Sequence, residues 1–159
     1  MSKIAANISR VLGEIQRATL AVDRNANDVI LLAVSKGHAA DGVRAAHGAG
    51  LRHFGESYLQ EALPKIAQLH ELAITWHFLG PVQSNKTRRI AEHFSWLHSL
   101  DRLDIAERLA RQRPTGLPPL EVCLQVNIDR EATKSGVDPD ALEPLARAVA
   151  ALPGIRLRG

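Results

Sequence analysis

Val29-Ile30-Leu31-Leu32-Ala33-Val34-Ser35-Lys36 contains the most apolar run of the chain and ends on a single amine. Six apolar residues are too few for an ordinary helix, so the run reads as a buried strand over about 29 to 35, and Lys36 falls where that strand meets a loop. Five of the twenty Lys and Arg residues are lysine, namely Lys3, Lys36, Lys65, Lys86 and Lys134. A lysine kept at a strand end in so arginine-rich a chain asks for a chemical reason. Arginine stays protonated, whereas a lysine in an apolar pocket can lose its proton, become nucleophilic and form a Schiff base with an aldehyde. The structural alternative is a strand-capping lysine that snorkels to water.

Outward from this strand, helical and strand patterns alternate along the whole chain. Upstream, Ile4, Ile8, Val11, Leu12 and Ile15 follow the helical period and predict an amphipathic leading helix over residues 2 to 21. Downstream, His53 to Glu56, Thr75 to Leu79, Trp96 to Leu100, Leu120 to Ile128 and Ile155 to Arg158 read as strands, making six. Helix starts are expected at Ser57 with Gln60, at Asp101 with Asp104, and at Asp138 followed by Pro139. Pro64 and Pro144 fall inside helical patterns and predict a kink or a late start there. Without a linker or low-complexity segment, residues 1 to 159 are expected to form one α/β domain.

With 45% hydrophobic and 23% charged residues, the chain has material for a core. No apolar stretch approaches the ~20 residues that cross a bilayer, so no membrane association and a cytoplasmic location are expected. Cys123 is the only cysteine, which excludes an intramolecular disulfide and a Cys-based zinc site. Net charge is only +3, without a run of like charges, and aromatic residues make up 4%. Nucleic-acid binding is therefore not expected.

Strands that recur every ~20 to 35 residues, each followed by a helix, fit a doubly wound sheet or a (β/α)₈ barrel. Strand 1 is not followed by G-x-G-x-x-G, and a Walker loop is absent. Polar residues instead gather after several strands: Lys36, Glu56 with Ser57, His77 with Gly80, and Asn127. Barrel active sites are built in this way. A barrel typically needs ~250 residues, so the sequence implies an open sheet or a barrel truncated to about six strands.

Three further segments carry candidate chemistry. In His77-Phe78-Leu79-Gly80-Pro81-Val82-Gln83-Ser84-Asn85-Lys86, Gly80-Pro81 makes a turn and Ser84 can cap a helix whose N-terminus favours anions; a plain strand-turn-helix junction with a buried His is the alternative. Glu56, in Phe54-Gly55-Glu56-Ser57-Tyr58, could bond a ligand, hold Lys36 in its charged form, or simply occupy the first turn of a helix. Thr133-Lys134-Ser135-Gly136 is a polar loop able to grip a phosphate or only to turn the chain. His93 and His98 lack metal-ligand spacing, and no metal site is expected.

Taken together, Ala33-Val34-Ser35-Lys36, Phe54-Gly55-Glu56-Ser57-Tyr58, the Trp76 to Lys86 segment and Lys134-Ser135-Gly136 closely resemble the pyridoxal-phosphate homeostasis proteins. The resemblance implies a fold like the N-terminal barrel of alanine racemase, here a (β/α)₈ type truncated to about six strands. It further implies that Lys36 holds pyridoxal 5′-phosphate (PLP) as a Schiff base, with Ser57, His77, Asn85 and Lys134 lining or approaching the pocket. The implied role is PLP homeostasis with little or no turnover, apo PLP-dependent enzymes receiving the cofactor. Two rival readings are a partner-binding barrel fragment and a PLP-dependent racemase-like enzyme, the latter needing Glu56 or His77 as a second acid-base group. Ser57 stands where the family usually has Asn, and Gly37-His38-Ala39 where it commonly has Thr-Lys-Pro. Strands 7 and 8, which in the family contact the phosphate, are not in this sequence. Unclosed barrel edges would then favour self-association.

Overall fold

A computed structural model describes residues 2–159. The leading helix α1 (Lys3–Leu20) begins on Ser2, whose hydroxyl accepts from the Ala5 N–H at 3.2 Å. Strand and helix then alternate as β1 (Leu32–Val34), α2 (Ala40–Gly48), β2 (His53–Glu56), α3 (Leu59–Gln68), β3 (Thr75–Phe78), α4 (Thr87–His93), β4 (Trp96–Leu100), α5 (Leu103–Gln112), β5 (Leu120–Leu124), α6 (Leu142–Ala150) and β6 (Ile155–Leu157). All six expected strands form, within a few residues of their expected ends.

The six strands make one parallel sheet in the order β1-β2-β3-β4-β5-β6. That order separates the two architectures left open by the sequence. Crossovers between parallel strands are right-handed, so a sheet that always adds its next strand on the same side carries every crossover helix on one face. A doubly wound sheet reverses direction and covers both faces. The chain therefore builds six consecutive strands in the manner of a (β/α)₈ barrel.

The core lies between the sheet and its helices. Phe54, Trp76, Phe78, Leu97 and Val122 point outward from the strands and are buried. Phe54 packs on Trp76 with ring centroids 6.1 Å apart, and Phe78 meets Phe94 edge-on at 5.3 Å. Ile90, Ile105, Leu109 and Val149 close this layer from the helix side. The alternate strand residues, His53, His77, Trp96, His98 and Glu121, lie on the opposite face.

Several expectations need correction. The Val29–Val34 run is not a buried strand: β1 takes only three of its residues and sits at the sheet edge, paired with β2 alone. Ile30 is 57% and Val34 48% exposed. Ser57 does not cap α3, which starts after Tyr58 without a side-chain cap, and Asp101 does not cap α5, which starts after Arg102. Asp138 does begin a short 3₁₀ turn, accepting from the Asp140 N–H at 2.9 Å with Pro139 at its first position. Pro64 is accommodated inside α3, and α6 starts at Leu142, two residues before Pro144.

Candidate functional site

In a parallel sheet every loop that follows a strand emerges at the same end. Lys36 lies two residues beyond β1, Ser57 directly after β2, Asn85 in the 3₁₀ turn Ser84–Lys86 after β3, and Lys134 in the loop after β5. Topology thus brings four of the five expected site residues to one rim. Lys36, Asn85 and Lys134 are exposed and Ser57 is half-buried.

The turn that carries Lys36 is built in detail. The His38 N–H donates to the Ser35 carbonyl at 3.1 Å, closing a β-turn with Lys36 and Gly37 as its central residues. Gly37 has φ +73°, which a type II turn requires of its third residue. A side chain there would meet no atom within 4 Å, so glycine is demanded by the backbone and not by space.

Glu56 does not pair with Lys36 and does not lie in a helical turn. It ends β2 on the helix side, fully buried, and its Oε1 accepts from Lys65 Nζ at 2.5 Å and from the Ser35 hydroxyl at 2.6 Å. Lys65, on α3 and 6% exposed, also donates to the Ser35 carbonyl at 2.8 Å. A buried lysine from the next helix, with no sequence signal to announce it, thus takes the carboxylate that the sequence left available to Lys36.

Ser57 is held by its neighbours across the rim. The Leu79 N–H donates to the Glu56 carbonyl at 2.8 Å, and a Cβ on Gly80 would lie 2.1 Å from the Ser57 carbonyl oxygen. The Gly80 carbonyl in turn accepts from the buried Ser99 hydroxyl at 2.5 Å. Beside this contact, Ser57, Tyr58, Gln60, Pro81, Gln83 and Lys86 line an open cavity of about 330 Å³. Ser84 does not cap α4: it opens the 3₁₀ turn Ser84–Lys86, α4 starts after Lys86 without a side-chain cap, and the Ser84 carbonyl accepts from the Thr87 hydroxyl at 2.9 Å.

The loop bearing Lys134 is braced at both ends. Asn127 accepts from the Glu131 N–H at 3.2 Å and donates to its carbonyl at 2.9 Å, while the Gly136 N–H donates to Asp101 Oδ2 at 3.3 Å. Asp101 therefore ties this loop to the end of β4 instead of capping α5. Gly136, at φ +127°, packs so closely on the Val126–Asn127 backbone that a Cβ would lie 2.6 Å from the Asn127 nitrogen.

His77 belongs to a different constellation. It is 4% exposed on the face away from the helices, and both ring nitrogens are engaged: Nε2 with His53 Nδ1 at 2.9 Å and Nδ1 with His98 Nε2 at 2.9 Å. The Trp96 ring stacks on it at 5.4 Å, and the Arg158 guanidinium stands 5.8 Å from the Trp96 centroid. Sequence reasoning missed His53, His98, Trp96 and Arg158. The available signal was the alternation of polar and outward apolar residues in His53-Phe54, Trp76-His77-Phe78 and Trp96-Leu97-His98, which places all three imidazoles on one face. Among the described residues no group of three or more His, Cys, Asp or Glu is arranged to hold a metal ion.

Burial, followed by the neighbouring His98 and His53, pushes His77 down to about 3, and burial lowers His53 and His98 as well. These imidazoles are neutral in the folded chain over a range in which the unfolded chain binds protons. Stability should therefore be full above the ordinary histidine value of about 6.5 and fall as pH drops from there toward 3. Denaturant unfolding at a series of pH values should show that slope, flattened in a His77→Gln variant; an equal slope in both would assign the pH dependence to other groups.

The model of the family described as alanine racemase, N-terminal domain, matches residues 11–159. The chain therefore has the N-terminal domain architecture of alanine racemase. It is 61% identical over 159 residues to a pyridoxal phosphate homeostasis protein of Pseudomonas aeruginosa, covering 100% of this chain and 69% of that protein. A protein of the same name from Escherichia coli K12 is 49% identical over 162 residues, again covering 100% of this chain and 69% of the relative. The solved structure of PipY from Synechococcus elongatus with PLP bound superposes with a TM-score of 0.75 at 39% identity, covering 93% of this chain and 68% of that one. The chain belongs to the pyridoxal phosphate homeostasis protein family. Among the described residues no helix is long and apolar enough to cross a membrane.

Proposed function

We propose that this chain binds PLP through a Schiff base to the Lys36 amine, acts in intracellular PLP homeostasis in the cytoplasm, and passes the cofactor to apo PLP-dependent enzymes. Residues 1–159 act as one six-stranded binding domain in this reading. The observation that carries it is an exposed primary amine on a pinned turn, at the same rim as Ser57, Asn85 and Lys134. PLP combines an aldehyde, which needs a free amine, with a phosphate dianion, which needs cations and hydrogen-bond donors. Lys36 answers the first need, while Lys134, Asn85 and the Ser57 hydroxyl answer the second. When bound, PLP supplies an aldehyde that condenses with amines and a ring that accepts electrons.

Low turnover is supported by the acid-base inventory. Glu56 is committed to Lys65 and Ser35, and both nitrogens of His77 are committed to other imidazoles. Neither is free to face Lys36 as a second proton-transfer group, which favours a carrier over a racemase-like enzyme.

The test is a PLP titration followed by visible absorbance, then borohydride reduction and peptide mass mapping. Wild-type protein should gain the Schiff-base band and a reduced pyridoxyl mass on the peptide containing Lys36, and Lys36→Ala should lose both. A band of equal strength in Lys36→Ala would end this reading.

A further inference from the structure

The geometry points to Glu61, together with the buried Glu56–Lys65 pair, as positioning residues that fix the turn bearing Lys36. This rests on the reading of Lys36 as the PLP-linking amine. Both neighbours of Lys36 are tied down by side chains distant in sequence. On one side, Ser35 is held at three atoms: its N–H donates to the Gly55 carbonyl at 2.9 Å, its hydroxyl donates to Glu56 Oε1, and its carbonyl accepts from Lys65 Nζ. On the other side, the Gly37 N–H donates to Glu61 Oε2 at 3.1 Å. Lys36 itself is exposed and is placed through these flanking contacts.

The choice of residues supports positioning over bulk stabilisation. A buried ion pair contributes little net stability compared with well-packed apolar side chains of the same volume. Apolar residues at positions 56 and 65, however, could not grip the hydroxyl and carbonyl of Ser35. A flexible amine with three donors reaches the Glu56 carboxylate and the Ser35 carbonyl at once. Glu61 stands one turn of α3 before Lys65, so a single helix supports both arms of the turn. With both arms fixed, the amine is presented in few orientations, and less conformational freedom is lost when the aldehyde is captured.

Glu61 is exposed, so its variants test the idea without threatening the fold. Three proteins, wild type, Glu61→Ala and Glu61→Gln, are compared for hydrogen exchange at the Gly37 amide without PLP, for PLP affinity by absorbance titration, and for thermal unfolding. Glu61→Ala should speed exchange at Gly37 and weaken PLP affinity about 3- to 10-fold with an unchanged unfolding temperature. Glu61→Gln keeps an acceptor oxygen and should restore both. Ser35→Ala, which removes the link to Glu56 but leaves the ion pair, should weaken affinity by a similar factor. Wild-type affinity in Glu61→Ala, or equal losses in Glu61→Ala and Glu61→Gln, would overturn the positioning role. Lys36→Ala separates the two levels: loss of the band in that variant with wild-type behaviour in Glu61→Ala removes the positioning role alone, whereas an undiminished band in Lys36→Ala removes both.

Discussion

Lys65→Met should lower the unfolding free energy by about 3 to 5 kcal/mol, among the largest single-residue effects in this chain. Glu56 is fully buried, and Lys65 is its charged partner at 2.5 Å. Removing the amine strands a carboxylate away from water with only the Ser35 hydroxyl to bond it, and leaves the Ser35 carbonyl without its second donor. The double variant Glu56→Leu/Lys65→Met should recover most of the loss, since an apolar pair of similar volume carries no desolvation cost. Urea unfolding of the two single variants and the double variant gives the coupling energy directly. If Lys65→Met costs less than about 1 kcal/mol, the pair is not buried as tightly as its geometry indicates. Stability recovered in the double variant should come without recovered PLP affinity, because Ser35 would still lack its anchors.

The distance between what the sequence conveys and what the fold adds is visible in these residues. Strand positions were legible because short apolar or alternating runs bounded by turn residues have few other readings. Strand order was not, since periodicity carries no information on which strand neighbours which; the most apolar run proved to be an edge strand for that reason. The helix-start signals at Ser57 and Asp101 failed through tertiary competition. Ser57 is pressed against Gly80 at the rim, and Asp101 is taken by the Gly136 N–H from the loop after β5. The rim positions of Lys36, Ser57, Asn85 and Lys134 were legible because each follows a strand. Lys65 and Glu61 were hidden, appearing in sequence as ordinary charges on an amphipathic helix. The His53–His77–His98 chain was half-legible: alternation gives the shared face, but only the parallel register brings the three rings within hydrogen-bond reach.

Gly80→Ala should destabilise the chain by about 3 kcal/mol, at the upper end of overpacking costs. The added methyl would lie 2.1 Å from the Ser57 carbonyl oxygen and 3.0 Å from its carbon, and these are backbone atoms that no rotamer change can move aside. Relief requires the loop after β2 to separate from the turn after β3. That shift would also disturb the Gly80 carbonyl, which receives the buried Ser99 hydroxyl. Gly42→Ala is the matched control. It lies in α2 with nothing within 4 Å of the new Cβ, and should stabilise by about 0.5 to 1 kcal/mol through helix propensity. Thermal and denaturant unfolding of both variants read the difference. Because Ser57 is displaced in Gly80→Ala while the Lys36 turn keeps its own anchors, PLP affinity should fall with the Schiff-base band still formed at high cofactor concentration. A Gly80→Ala protein as stable as wild type would mean that the two loops are free to part, and Ser57 would then not be a fixed element of the rim.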